Sequence, residues 1–237
     1  MGSALIFLNG YYDTRYLDFY RQEIENAGMN CFPTICADGG IRIFGALNQR
    51  GKTPLTPDVL IGDMDSVVQA ETEAKQTVQE WVGKTDKDYT DGQLAVDYAL
   101  REYGCQHIVI YGGLPRPNEY ETDHFLGNLK LMRFGHHRVS ADKRYRAEMR
   151  DPKQTIHYVS SDVWLTRKSN GLQRVSLIAE AENVVIEKSE NLRWDLASLQ
   201  IHPDLTNALR NEFVDGAEWA TVRLVDGSSP VYVIHNW

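Results

Sequence analysis

The chain has 237 residues, 42% of them hydrophobic, and a formal net charge of −8. That length favours one large or two modest domains, and no apolar run approaches the roughly 18 residues of a membrane span. An acidic chain without a basic stripe does not fit nucleic-acid binding, where neutralised phosphates supply most of the affinity.

Taken in chain order, the first half alternates strand and helix patterns. Met1-Gly2-Ser3 carry no basic leader, so no secretory signal is expected. Residues 4–9 form a short continuous apolar run, as in a strand covered on both faces. Residues 13–27 have amphipathic helical spacing, with Gly28 as the stop. Residues 30–37 and 58–61 read as strands. Residues 45–53 imitate a phosphate-binding loop, but five residues separate the glycines where that motif has four. Pro54 and Pro57 also forbid the helix that should follow, so the segment reads as a surface loop. Residues 90–103 form the clearest helix, because Thr90 and Gln93 fit a capping box and Leu94, Ala95, Tyr98 and Ala99 repeat at helical spacing. Residues 107–111 read as a buried strand and 122–134 as a helix with Thr122 as its cap. Strands alternating with helices predict a mostly parallel, Rossmann-like sheet.

The pattern changes after about His137. Six short segments, at 155–159, 163–167, 174–179, 183–188, 221–225 and 231–235, alternate apolar and polar residues between turns. That predicts an antiparallel β-sandwich. The fold class is therefore α/β followed by a β-sandwich, with domains at 1–138 and 139–237. Cys31, Cys36 and Cys105 lie in or near apolar runs without metal or redox spacing, which predicts buried free thiols in a reducing cytoplasm.

Carboxylates gather where first-half strands end and helices begin: Asp38, Asp63, Asp65, Asp86, Asp88, Asp91 and Asp123. Ligands of open α/β sheets bind outside the carboxyl ends of the strands. Mg²⁺ takes hard oxygen ligands and usually shares them with substrate phosphates and water. Any one of these aspartates is equally an ordinary turn or cap residue; the set at one end of one sheet is harder to dismiss. Asp63, Asp65, Asp88 and Asp91 are the candidate catalytic residues and metal ligands. Gly39 and Gly40 allow close backbone approach and free amides for an anion.

In order, Ala37-Asp38-Gly39-Gly40, Pro57-Asp58 leading into Gly62-Asp63-Met64-Asp65-Ser66, Lys87-Asp88-Tyr89-Thr90-Asp91, and Asp123-His124 resemble the thiamine pyrophosphokinase (thiamine diphosphokinase) family. More loosely, residues 191–196 and 211–213 resemble second-domain segments of that family. The resemblance implies transfer of a pyrophosphoryl group from ATP to thiamine, with Mg²⁺, in a homodimer whose active sites form between subunits. ATP contacts would come from Asp38, Gly39, Gly40, Ser66, Lys87, Asp123 and His124. Thiamine contacts would come from Thr90, Trp194 and Asn211, with Trp194 stacking on a ring or serving only as a core tryptophan.

The sequence departs from the family at Glu121, where the family usually has arginine, and at Arg210, where it usually has serine. Arg116, in an expanded loop, is the candidate substitute cation or else a solvent-facing residue. Two rivals follow: a diphosphokinase for another hydroxymethyl heterocycle, such as a pterin, and a non-catalytic nucleotide- or thiamine-binding paralogue.

Overall fold

The computed structural model describes residues 2–51, 53–62, 78, 80–83, 88–116, 120–139 and 145–237. The chain divides into two compact units, Met1–Pro152 and Lys153–Trp237.

In the first unit six strands are described: β1 (Ser3–Phe7), β2 (Thr34–Ala37), β3 (Val59–Ile61), β4 (Glu80–Val82), β5 (His107–Tyr111) and β6 (Arg146–Asp151). They lie side by side in the order β6-β5-β1-β2-β3-β4, and every pairing is parallel. Among the described residues four α-helices accompany them: α1 (Leu17–Met29), α2 (Arg42–Arg50), α3 (Asp91–Arg101) and α4 (Thr122–His136). A parallel sheet needs crossover helices, and those helices bury its faces; hence the near-continuous apolar runs of β1, β2, β3 and β5. Leu5, Phe7, Leu60, Val109 and Tyr111 pack with Leu17, Tyr20 and Ile24 of α1 and Phe44 and Leu47 of α2. Phe7 stacks on Tyr111 at 4.9 Å and meets Phe44 edge-on at 5.2 Å.

The unit boundary lies beyond the expected 138/139, because β6 belongs with the parallel sheet. Ala147 and Met149 of β6 are fully buried. Arg150 bonds Glu23 of α1 and Glu148, each at 2.7 Å, so the charged face that disguised this strand is paired. Other readings change as well. Residues 45–50, taken as surface loop, lie in α2, which buries Ile43, Phe44 and Leu47 and stops before Pro54. Gly28 is inside α1; the chain leaves that helix at Cys31, which is exposed and has φ +56°. Cys36 and Cys105 are buried free thiols as expected, whereas Cys31, expected to be buried, is exposed at the turn that ends α1. Among the described residues no helix is long and apolar enough to cross a membrane.

The second unit contains β7 (Gln154–Val159), β8 (Asp162–Thr166), β9 (Arg174–Ala179), β10 (Val184–Glu190), β11 (Gln200–Ile201), β12 (Asn211–Glu212), β13 (Trp219–Leu224) and β14 (Val231–Asn236). All pairings within it are antiparallel, in the orders β12-β9-β14-β7 and β11-β10-β13-β8. Inward residues of both sets, among them Val163, Leu165, Leu177, Ile186, Val222 and Val233, form one apolar core, as the alternation requires.

One buried polar group makes this unit acid-sensitive. His235 is 1% exposed, stacks on Phe213 at 5.1 Å and places Nε2 3.1 Å from Gln173 Oε1. Burial, aided by His157, Lys168 and Arg167, lowers its pKa from 6.5 to about 4. Between these values the unfolded chain takes up a proton that the folded chain refuses, so stability is lost as pH falls through that window. Urea unfolding at pH 7 and pH 4.5 should show a loss of about 2–3 kcal/mol from this group, at 1.36 kcal/mol per pKa unit. The loss should shrink in His235→Phe, and equal slopes in both proteins would reject the assignment.

Candidate active site

The order β6-β5-β1-β2-β3-β4 reverses at β1: the chain first winds outward through β2 to β4, then returns to β5 on the other side. Loops leaving β1 and β5 therefore part from each other, and open sheets hold ligands in the crevice so formed. A cavity of about 560 Å³ lies there. Leu8–Tyr11 follow β1, Asp38 follows β2, and Gly112–Pro115 follow β5. The starts of α3, at residues 90–93, and of α4, at residues 121–128, complete the wall.

Close packing holds the loops. The Gly10 backbone sits so near the Gly112 carbonyl that a Cβ would overlap its oxygen, and a Cβ at Gly40 would overlap the Phe7 carbonyl. The Tyr12 hydroxyl donates to Leu8 O at 2.7 Å. Burial pushes its pKa far up, keeping it a donor at any working pH. Asn128 donates to Gly113 O at 2.8 Å, fixing the loop after β5 to α4.

Asp38 is the most constrained residue of the wall. It is 8% exposed and has φ +46°, a backbone conformation costly for a residue with a Cβ. Asn9 Nδ2 donates to its Oδ2 at 2.9 Å, and Arg42 donates to Asn9 Oδ1. Among the described residues, Asp38 Oδ1 is buried without a hydrogen-bond partner. Such an atom costs about 1–3 kcal/mol unless something satisfies it. Gly62, with φ +141°, lets the end of β3 approach this turn; a Cβ there would lie 3.3 Å from the Asp38 Cα.

The two helix starts differ. Thr90 Oγ1 accepts from Gln93 N at 3.2 Å and Gln93 Oε1 accepts from Thr90 N at 2.9 Å, so the expected capping box is present. On α4 the cap residue is Glu121, not Thr122, and no side chain caps the helix. The Glu121 carboxylate instead accepts the Arg116 backbone amide at 2.9 Å. The Arg116 guanidinium lies 5.8 Å from the Tyr11 ring centroid and is not part of the cavity wall.

Asp38, Asp91, Glu121 and Asp123 face the cavity, against Lys130 and His124. The oxygen-rich donor set and the orphaned Asp38 oxygen fit a hard divalent ion such as Mg²⁺. Among the described residues no three acidic, His or Cys side chains converge on one metal position. Asp63, Asp65, Ser66 and Lys87 lie outside the described residues. Of the other expected residues, Asp38, Thr90, Asp91, Asp123 and His124 line the cavity together. Gly39 and Gly40 form the buried 3-10 turn with Asp38, while Asp88 is exposed just before α3.

Trp194 and Asn211 belong to the second unit. Trp194 is 53% exposed, so it is not a core residue. Asn211 is buried, accepts Trp194 N at 3.1 Å and donates to Trp194 O at 2.7 Å. It clamps the backbone that presents the indole. Arg210 has φ +59° and donates its amide to Ser176 Oγ at 2.9 Å. Sequence reasoning missed Asn9, Gly10, Tyr11 and Lys130; an Asn-Gly pair directly after the first strand was the available signal for the first two.

Residues 24–141 match the family profile described as thiamin pyrophosphokinase, catalytic domain. No curated protein sequence matches significantly. Among solved structures, thiamine pyrophosphokinase from Bacillus subtilis is 20% identical, with TM-score 0.73 over 99% of this chain and 98% of that one. The Geobacillus thermodenitrificans enzyme is 18% identical with TM-score 0.71, over 100% and 98%. The Candida albicans enzyme is 12% identical with TM-score 0.72, over 100% and 89%. At these identities the structural likenesses establish the fold.

Proposed function

We propose, from the premise that residues 24–141 belong to the thiamin pyrophosphokinase catalytic-domain family, that the chain moves a pyrophosphoryl group from ATP to thiamine. The observation that carries this reading is the cavity at the strand reversal, about 560 Å³ in volume and lined by carboxylates from three chain segments. The thiamine hydroxyl oxygen attacks the β-phosphorus of ATP, the bond from that phosphorus to the α–β bridging oxygen breaks, and AMP leaves. The hydroxyl proton passes to the carboxylate of Asp88 or Asp91. Mg²⁺, held by Asp63, Asp65, Asp88 and Asp91 directly or through water, would neutralise phosphate charge.

Asp38 and Asp123 orient the nucleotide, with Gly39, Gly40, Ser66, Lys87 and His124 around its phosphates. Pre-positioning supplies most of phosphoryl-transfer catalysis. Lys130, which lines the cavity two turns into α4, is the candidate cation in place of Arg116. In the first unit Thr90 is the candidate thiamine contact; in the second, Trp194 is the candidate stacking residue and Asn211 fixes its backbone. A homodimer in a reducing cytoplasm completes the reading.

The test is formation of AMP and thiamine diphosphate from ATP, Mg²⁺ and thiamine, with a hydroxymethylpterin as rival acceptor. Carboxylates facing a polyanion require an intervening cation, so excess chelator should abolish turnover and added Mg²⁺ or Mn²⁺ should restore it. Full turnover in chelator would reject the metal role. Binding of ATP or thiamine without any product would assign the chain to a non-catalytic paralogue instead.

A further inference from the structure

We infer that Tyr89 and Arg138 form one positioning element that fixes the carboxylates of residues 88–91; the inference rests on the proposed role of those carboxylates. Tyr89 lies between Asp88 and Thr90, and its half-buried ring meets Phe134 of α4 edge-on, with centroids 5.7 Å apart and planes at 62°. Arg138 follows α4, and its guanidinium carbon lies 4.3 Å from the Phe134 centroid and 5.0 Å from that of Tyr89. Arg138 Nη1 also donates to Asp97 Oδ1 of α3 at 2.8 Å. The other oxygen of Asp97 faces Arg101 at 3.4 Å.

One cation thus bridges two aromatic rings and a carboxylate drawn from α3, α4 and the segment that precedes α3. A guanidinium suits this place because it is flat enough to lie over rings while its edge donates. The short segment is held at two points: Thr90 caps α3, and Tyr89 is pinned against α4. Asp88 and Asp91 sit on either side of that pin, Asp91 lining the cavity and Asp88 exposed just before α3, so the Tyr89 ring fixes the backbone that presents both carboxylates. Groups behind metal-directed carboxylates orient them, and losing such groups lowers ligand affinity without removing a ligand atom.

The experiment titrates MgATP into the full chain by calorimetry, without thiamine, and measures the melting temperature of each variant. Tyr89→Leu and Arg138→Met should each weaken MgATP binding by about tenfold or more. The double variant should be little worse than either single one, because both break the same element. Tyr89→Phe, which keeps the ring for both contacts, should recover most of the affinity lost in Tyr89→Leu. A purely packing role would lower the melting temperature and leave affinity unchanged, and that outcome overturns the inference. So does a Tyr89→Phe variant no better than Tyr89→Leu. Failure of the unsubstituted chain to bind MgATP overturns this inference together with the reading of the site, whereas unchanged affinity in the variants overturns the positioning role alone.

Discussion

Asp91→Asn should cut thiamine diphosphate formation by about a thousandfold, the scale seen when a charge-stabilising group is removed from an active site. The melting temperature should move little. Asp91 is the first residue of α3 and lines the cavity. A carboxylate there interacts favourably with the helix dipole by about 0.3–1 kcal/mol, which the amide forfeits. Against that loss, one of four carboxylates facing a common space disappears, and like charges so placed repel. The two effects oppose each other, while the shape of the side chain is kept. Steady-state turnover and thermal unfolding measured on the same preparation separate the two readouts. Turnover near that of the unsubstituted chain would remove Asp91 from the reaction.

Gly40→Ala should destabilise the first unit by about 3 kcal/mol or more, at the upper end of overpacking effects. The added Cβ would overlap the Phe7 carbonyl oxygen and lie 2.6 Å from its carbon. These are backbone atoms at the end of β1, between two hydrogen-bonded neighbours, so no rotamer change relieves the clash. The Asp38 turn would have to lift away, taking the cavity wall with it. Gly28→Ala is the contrasting substitution: nothing lies within 4 Å of its Cβ, and Gly28 is inside α1. There alanine should stabilise by about 0.5–1 kcal/mol through helix propensity. Denaturant midpoints for the two proteins test the contrast, and equal midpoints would mean that the close approach at Gly40 is not structural.

Elements whose stability is local were legible in the sequence. The Thr90–Gln93 box marks the start of α3 because its bonds join neighbours in sequence. The apolar run of β5 is legible because both faces of a parallel strand are buried. β6 was not legible. Its Arg146, Glu148 and Arg150 look like a solvated face, and only Glu23, far away in α1, shows where Arg150 belongs. α2 was obscured by a glycine and by its shortness, although Ile43, Phe44 and Leu47 carry helical spacing.

Within the site, Asp38, Asp91 and Asp123 were legible as residues at element ends. Asn9 was not, because its bond to Asp38 exists only when the turns after β1 and β2 meet. Lys130 faces the cavity only because of how α4 lies against the sheet, which local spacing does not encode.

The strand order also governs when this unit can form during synthesis. β1 is made first, yet one of its two neighbours is β5, paired from Ser3↔His107 to Phe7↔Tyr111. A growing chain that has not yet released β5 presents one flank of β1 as a row of unpaired amides and carbonyls. Such flanks recruit foreign strands, and pairing over so long a stretch of chain is slow. Until Tyr111 emerges, that flank of the central strand stays open to the wrong partner, so slowing synthesis between residues 37 and 111 should raise aggregation of the nascent chain.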